Sequence, residues 1–114
     1  MPKAWALNFL GKAYRLSALG ALEGGDDNLA YYLNNADRVL HEASVCDPLL
    51  VNPYVNRLAM LAELPRRSHS RAKLENHLVE DLVKLDALDD GPALAQQLES
   101  RFPTGLKWSV VRPR

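Results

Sequence analysis

Apolar residues recur at helical spacing along most of this chain, and prolines and glycines break the pattern into five pieces. The clearest piece is Leu29, Leu33, Ala36, Leu40 and Ala43, spaced 4, 3, 4 and 3. That spacing lays one apolar stripe along a helix of 3.6 residues per turn. Leu74, Leu78, Leu82 and Leu85 repeat the device further on. The breaks are chemical. Gly24-Gly25 offers a residue able to adopt positive φ at no steric cost. Asp47-Pro48, Pro65 and Pro103 halt a helix, because the residue before proline resists the α region. The pattern predicts helices over about 2–22, 27–45, 53–64, 69–88 and 92–102.

Local signals refine the ends. Asp26 or Asp27 is the expected N-cap of the second helix. Asn52-Pro53 reads as a cap followed by proline at the first helical position. Ser68 or Ser70 caps the fourth helix, and Pro92 opens the fifth. Residues 106–111 alternate apolar and polar, the period of a half-buried strand, so an extended tail is expected there. The expected architecture is all-α: a single 114-residue domain, a compact bundle of four to five helices with a short extended C-terminal segment. The span from Tyr14 to Pro48 has the length of one helical-hairpin repeat, but its sequence does not recur, which argues against a solenoid.

The first helix is unusual. Trp5, Leu7, Phe9, Leu10, Ala13, Tyr14, Leu16 and Leu19 leave a narrow polar strip of Asn8, Lys12 and Arg15. A helix so apolar is expected either at the centre of the bundle or in a dimer seam. On the second helix Asn34, Arg38, His41 and Glu42 are expected to face outward. On the third, Met60 is expected on the far side with Asn56 and Glu63.

Composition narrows the classes. Fourteen Lys and Arg balance fourteen Asp and Glu, so the chain is not a wholly basic nucleic-acid coat. The cancellation is blocked along the chain: residues 1–22 carry +3, 23–47 carry −5, 52–74 carry +4, 75–99 carry −6 and 100–114 carry +4. A patchy, bipolar surface is expected. A lone Cys46 excludes an internal disulfide, and its place beside Asp47 at a helix end makes it an unreactive filler rather than a nucleophile. No stretch is apolar enough to span a membrane, and Asn8, Lys12 and Arg15 interrupt any signal-peptide core, so a cytoplasmic protein is expected.

Chemical motifs are scarce. Asp37 and His41 stand four apart on the second helix, and His77 and Asp81 four apart on the fourth. Two ligands on one helix are half a metal site. Each pair is read as an ordinary carboxylate–imidazole contact on an exposed helix, with no metal or cofactor expected. No serine stands in G-x-S-x-G context, and Gly24-Gly25 lacks the rest of a phosphate loop. The expectation is a non-enzymatic protein that binds a partner protein, as a homodimer, through Trp5, Tyr14, Tyr31, Met60, Leu106, Trp108 and Val110. The competing expectation is a nucleic-acid-binding regulator using Arg66, Arg67, His69, Arg71 and Lys73, a basic cluster at a helix start. The acidic body of the helix behind that cluster weighs against it.

Overall fold

In the computed structural model, which describes residues 3–65 and 68–102, five helices follow one another: α1 Lys3–Gly24, α2 Leu29–Cys46, α3 Val51–Glu63, α4 His69–Asp86 and α5 Gly91–Glu99. The fold is all-α, and no strand occurs among the described residues. The expected extended tail and the aromatic and apolar residues on it lie outside them. No described helix is long and apolar enough to cross a membrane.

The helix ends follow backbone chemistry. Gly25 takes φ +68° after α1, and Asp26 N–H donates to Ala21 O at 2.9 Å, the six-to-one bond of a glycine-terminated helix. Asp26 does not cap α2. Its Oδ1 accepts from Asn28 N–H at 2.9 Å, closing the turn before the helix, and Asn28 flanks α2 with no side-chain cap. α3 begins two residues early, at Val51, so Pro53 is its third residue rather than its first. Proline is tolerated there because the first four N–H groups of a helix have no internal acceptor. Ser68 caps α4 as expected, accepting from Arg71 N–H at 3.0 Å. Gly91 opens α5 where a Cβ would stand 1.6 Å from the Leu85 carbonyl oxygen, so only glycine fits.

Helix directions are legible from cross-links. Asn8 meets Asn56 and Arg15 meets Glu63, both 48 residues apart, so α1 and α3 run parallel. His77 meets Asp37 and His41 meets Asp81, both 40 apart, so α2 and α4 run parallel. Two antiparallel hairpins, α1–α2 and α3–α4, are therefore stacked side by side. α3 packs on all four other helices, whereas α1 reaches only α2 and α3. The molecule measures 42 × 35 × 18 Å, two helix layers thick. Such stacking occurs here without any sequence repeat.

One continuous core draws on all five helices. It includes Leu33 and Leu40 of α2, Tyr54, Leu58, Met60 and Leu61 of α3, and Leu78, Leu82 and Leu85 of α4. Met60 is 2% exposed, not on an outer face. Asn56 is buried as well. A helix surrounded by four others has no outer face at these positions.

α1 is neither central nor oriented as its sequence suggests. It buries Ala4, Asn8, Gly11, Ala18 and Ala21, and leaves Phe9, Leu10 and Leu16 about half exposed. Two of its three polar-strip residues turn inward while Lys12 stays exposed: Arg15 Nη1 donates to Asn56 Oδ1 at 2.8 Å, Arg15 Nε to Glu63 Oε1 at 3.2 Å, and Asn56 Nδ2 to Asn8 Oδ1 at 2.9 Å. Small residues on the other inward side let the backbones of α1 and α2 approach closely. A Cβ at Gly11 would meet Leu40 Cγ and Cδ2 at 2.4 Å, and Leu40 is fully buried. Gly11→Val should therefore cost about 1–3 kcal/mol by overpacking, measured by urea unfolding. An unchanged midpoint would mean that the α1–α2 contact is looser than described.

Candidate functional site

The side chain of Arg57 enters the space between α2 and α4, and only 2% of it is exposed. A buried guanidinium must be paired and hydrogen-bonded. Here two carboxylates meet it. Its Nη1 donates to Asp81 Oδ2 on α4. Its Nε donates to Asp37 Oδ1 on α2 at 3.2 Å, and Nη2 lies 3.0 Å from the same oxygen. Each carboxylate also holds an imidazole. His41 Nδ1 is 2.8 Å from Asp81 Oδ2, and His77 Nδ1 is 2.5 Å from Asp37 Oδ2. The two rings lie side by side, centroids 4.6 Å apart and planes tilted by 42°.

This overturns the within-helix pairing expected from the sequence. The spacing of four does put Asp37 and His41 on one face of α2, and His77 and Asp81 on one face of α4. Parallel helices with a 40-residue offset then set Asp37 opposite His77 and His41 opposite Asp81. Each acid bonds across the helix boundary. The site is also buried rather than on exposed helices: Asp81 is 6% and Asp37 15% exposed, while the imidazoles, at 28% and 32%, form its outer surface.

The electrostatics are asymmetric. One guanidinium faces two carboxylates, so with neutral imidazoles the cluster holds one negative charge in excess. Burial alone pushes the Asp81 carboxyl upward, but the Arg57 charge and the hydrogen bonds from His41 and Arg57 outweigh it and hold the group below its ordinary value. Tyr54, donating to Pro48 O at 2.8 Å, is pushed upward, chiefly by burial. A pocket of about 160 Å³ opens beside this edge, lined by His41, Ser44, Val45, Pro48, Tyr54, Asp81, Lys84, Leu85 and Leu88. Its walls are mostly aliphatic, with the His41–Asp81 pair along one side. Ser44 is not poised for attack, because its hydroxyl donates to Leu40 O at 3.3 Å.

The residues singled out by sequence fall elsewhere. Trp5 is half-buried with its ring centroid 6.1 Å from that of Phe9, and Tyr14 is half-buried and meets Tyr31 edge-on, with ring centroids 6.3 Å apart. Tyr31 is exposed and packs against Tyr32, with ring centroids 5.6 Å apart. Met60 is core and joins none of them. Leu106, Trp108, Val110, Arg66 and Arg67 lie outside the described residues. His69 and Lys73 face solvent, but Arg71 is 6% exposed and turned inward. Cys46 is exposed rather than a filler. Arg57 was missed because a lone arginine in an apolar helix has the look of a solvated side chain. The one usable sign was the mirrored order of acid and histidine, Asp37–His41 and His77–Asp81, with a base between the two pairs.

Comparison of the chain with protein-family models, curated proteins and solved structures finds no match.

Removing one partner from a buried ion cluster leaves the others uncompensated. Arg57→Met should cost about 3–5 kcal/mol at neutral pH. Asp81 has a lowered pKa in the fold, so its share of stability is complete above the ordinary value of 3.8 and is lost as pH falls through the lower folded value. The penalty of Arg57→Met should therefore shrink on acidification below pH 3.8, measured by denaturant unfolding across pH. A penalty independent of pH would show that the carboxylates do not depend on Arg57.

Proposed function

We propose that the protein acts by binding rather than by catalysis, as a protein–protein interaction or regulatory module. We propose further that its partner is a second copy of itself, docked through the outer face of α1. The observation that carries this reading is the exposure of Phe9, Leu10 and Leu16 on one helix that touches only two of the other described helices. Scattered exposed apolar residues are ordinary, but a contiguous stripe along a rigid helix marks a contact surface.

The make-up of the stripe favours self-pairing. The exposed residues of α1 are Lys3, Ala6, Phe9, Leu10, Lys12, Ala13, Leu16, Ser17, Gly20, Glu23 and the terminal Gly24. An antiparallel pair with its two-fold axis at Ala13 faces Leu10 with Leu16 of the second copy and Ala6 with Gly20. It also sets Lys3 against Glu23 at both ends, an opposite-charge pairing that a parallel arrangement lacks. Small residues seven apart, Ala6, Ala13 and Gly20, allow close approach of the two backbones.

Gly20 adds a separate sign. Glycine inside a helix costs about 1 kcal/mol relative to alanine. At Gly11 the crowding of Leu40 explains it. At Gly20 a Cβ would meet nothing within 4 Å. No contact among the described residues requires glycine there, whereas close approach of a helix from a second copy favours one. The exposed, unpaired thiol of Cys46 fits the reducing, cytoplasmic setting that belongs to this reading.

Sedimentation equilibrium at tens of micromolar should report a dimer for the full chain and a monomer for Phe9→Glu with Leu16→Glu. Lys3→Glu alone should weaken association, and Lys3→Glu with Glu23→Lys should restore it. A monomeric wild type, or charge variants that all associate alike, would overturn the proposal.

A further inference from the structure

We infer that His41 and His77 together form a binding site for a divalent late transition-metal ion, of the class that imidazole favours. The site joins α2 and α4, and no residue of α1 contributes to it.

The first observation is placement. The two rings sit on parallel helices with centroids 4.6 Å apart, and ligand-capable atoms of His41, His77 and Asp81 lie within 4.8 Å of one another. A metal bonded to two imidazoles at about 2.0–2.1 Å needs its nitrogens roughly 3–3.5 Å apart. Rings with centroids 4.6 Å apart are near enough for one ion to reach a nitrogen of each.

The second is tautomer. Each Nδ1 faces a carboxylate oxygen, at 2.8 and 2.5 Å. An ionised carboxylate only accepts, so each neutral ring carries its hydrogen on Nδ1. The lone pair is then on Nε2, directed away from the carboxylate. A carboxylate behind Nδ1 is the support that metal-ligating histidines carry, because it fixes the ring and raises the basicity of the other nitrogen. Here both histidines have it. Both carboxylates are in turn held by Arg57, whose bonds keep them from swinging out to compete for the ion.

The third is charge. Arg57 balances one of two carboxylates, so with neutral imidazoles the cluster has one negative charge in excess, which favours a cation at its outer edge. The fourth is access: the imidazoles are the exposed part of the cluster, and water can complete the coordination. Two nitrogen donors with water select zinc, copper or nickel over magnesium or calcium, which prefer oxygen.

The test uses the full chain, tag-free and stripped of metal. Zn²⁺ titrated at neutral pH should bind one per chain and raise Tm. His41→Gln and His77→Gln should each weaken binding at least tenfold, whereas His69→Gln, at an exposed imidazole outside the cluster, should leave it unchanged. Asp37→Asn should weaken it by about 10–100-fold, as loss of a supporting carboxylate does. Should a histidine variant fold poorly, Cu²⁺ bound to the wild type supplies a second readout. Its electron paramagnetic resonance should show coupling to two imidazole nitrogens. Equal Zn²⁺ binding by wild type and the His41→Gln, His77→Gln double variant, no saturable binding, or a Cu²⁺ spectrum with no imidazole coupling would each overturn the proposal.

Discussion

The contact of Arg57 with Asp37 and Asp81 is the point on which the arrangement of the helices turns. A charge with 2% exposure is stable only where its partners are held, and those partners come from the two helices flanking α3. Satisfying it sets the register of α2 against α4. That register in turn brings the two imidazoles together, places the His41–Asp81 pair on the wall of the pocket, and forces α3 into the interior. An apolar residue at position 57 would bury more easily but would specify no offset between the flanking helices.

A second polar network does the same for the outer hairpin. Arg15, Asn8, Asn56 and Glu63 lock α1 to α3, while Ala4, Gly11, Ala18 and Ala21 let α1 settle closely on α2. Phe9, Leu10 and Leu16 are left outside because much of the inward side is already filled by small residues and by bonded polar ones. The exposed stripe is thus a consequence of how α1 is attached, not an accident of composition.

Much of the fold was legible locally. The apolar seam of α2, the Leu seam of α4, the glycine stop after α1 and the Ser68 cap follow from spacing and from backbone chemistry that needs no distant partner. What was not legible depended on distant partners. Asn8 and Arg15 read as a solvent strip because isolated polar residues usually are one; only Asn56 and Glu63, some 48 residues on, turn them inward. Met60 and Asn56 read as outward because periodicity assigns one buried face to a helix, and α3 has several. The cluster around Arg57 was half visible, as two carboxylate–imidazole pairs. The offset between parallel helices, which decides who bonds with whom, is written in no single segment.

The stacking of two hairpins also shapes how the chain can fold. Every helix packs on its neighbour in sequence or on the next but one, so nearly all contacts close short or moderate loops. Asp37 lies 20 residues before Arg57 and Asp81 24 after it, so the two halves of the ion cluster close loops of similar length and similar entropic cost. Neither half has a head start. A helix pair emerging first from synthesis can dock its own apolar faces at once, but the Arg57 guanidinium on α3 is not fully bonded until α2 and α4 are both in place. Closure of the cluster therefore reports the moment at which separate hairpins become one cooperative unit.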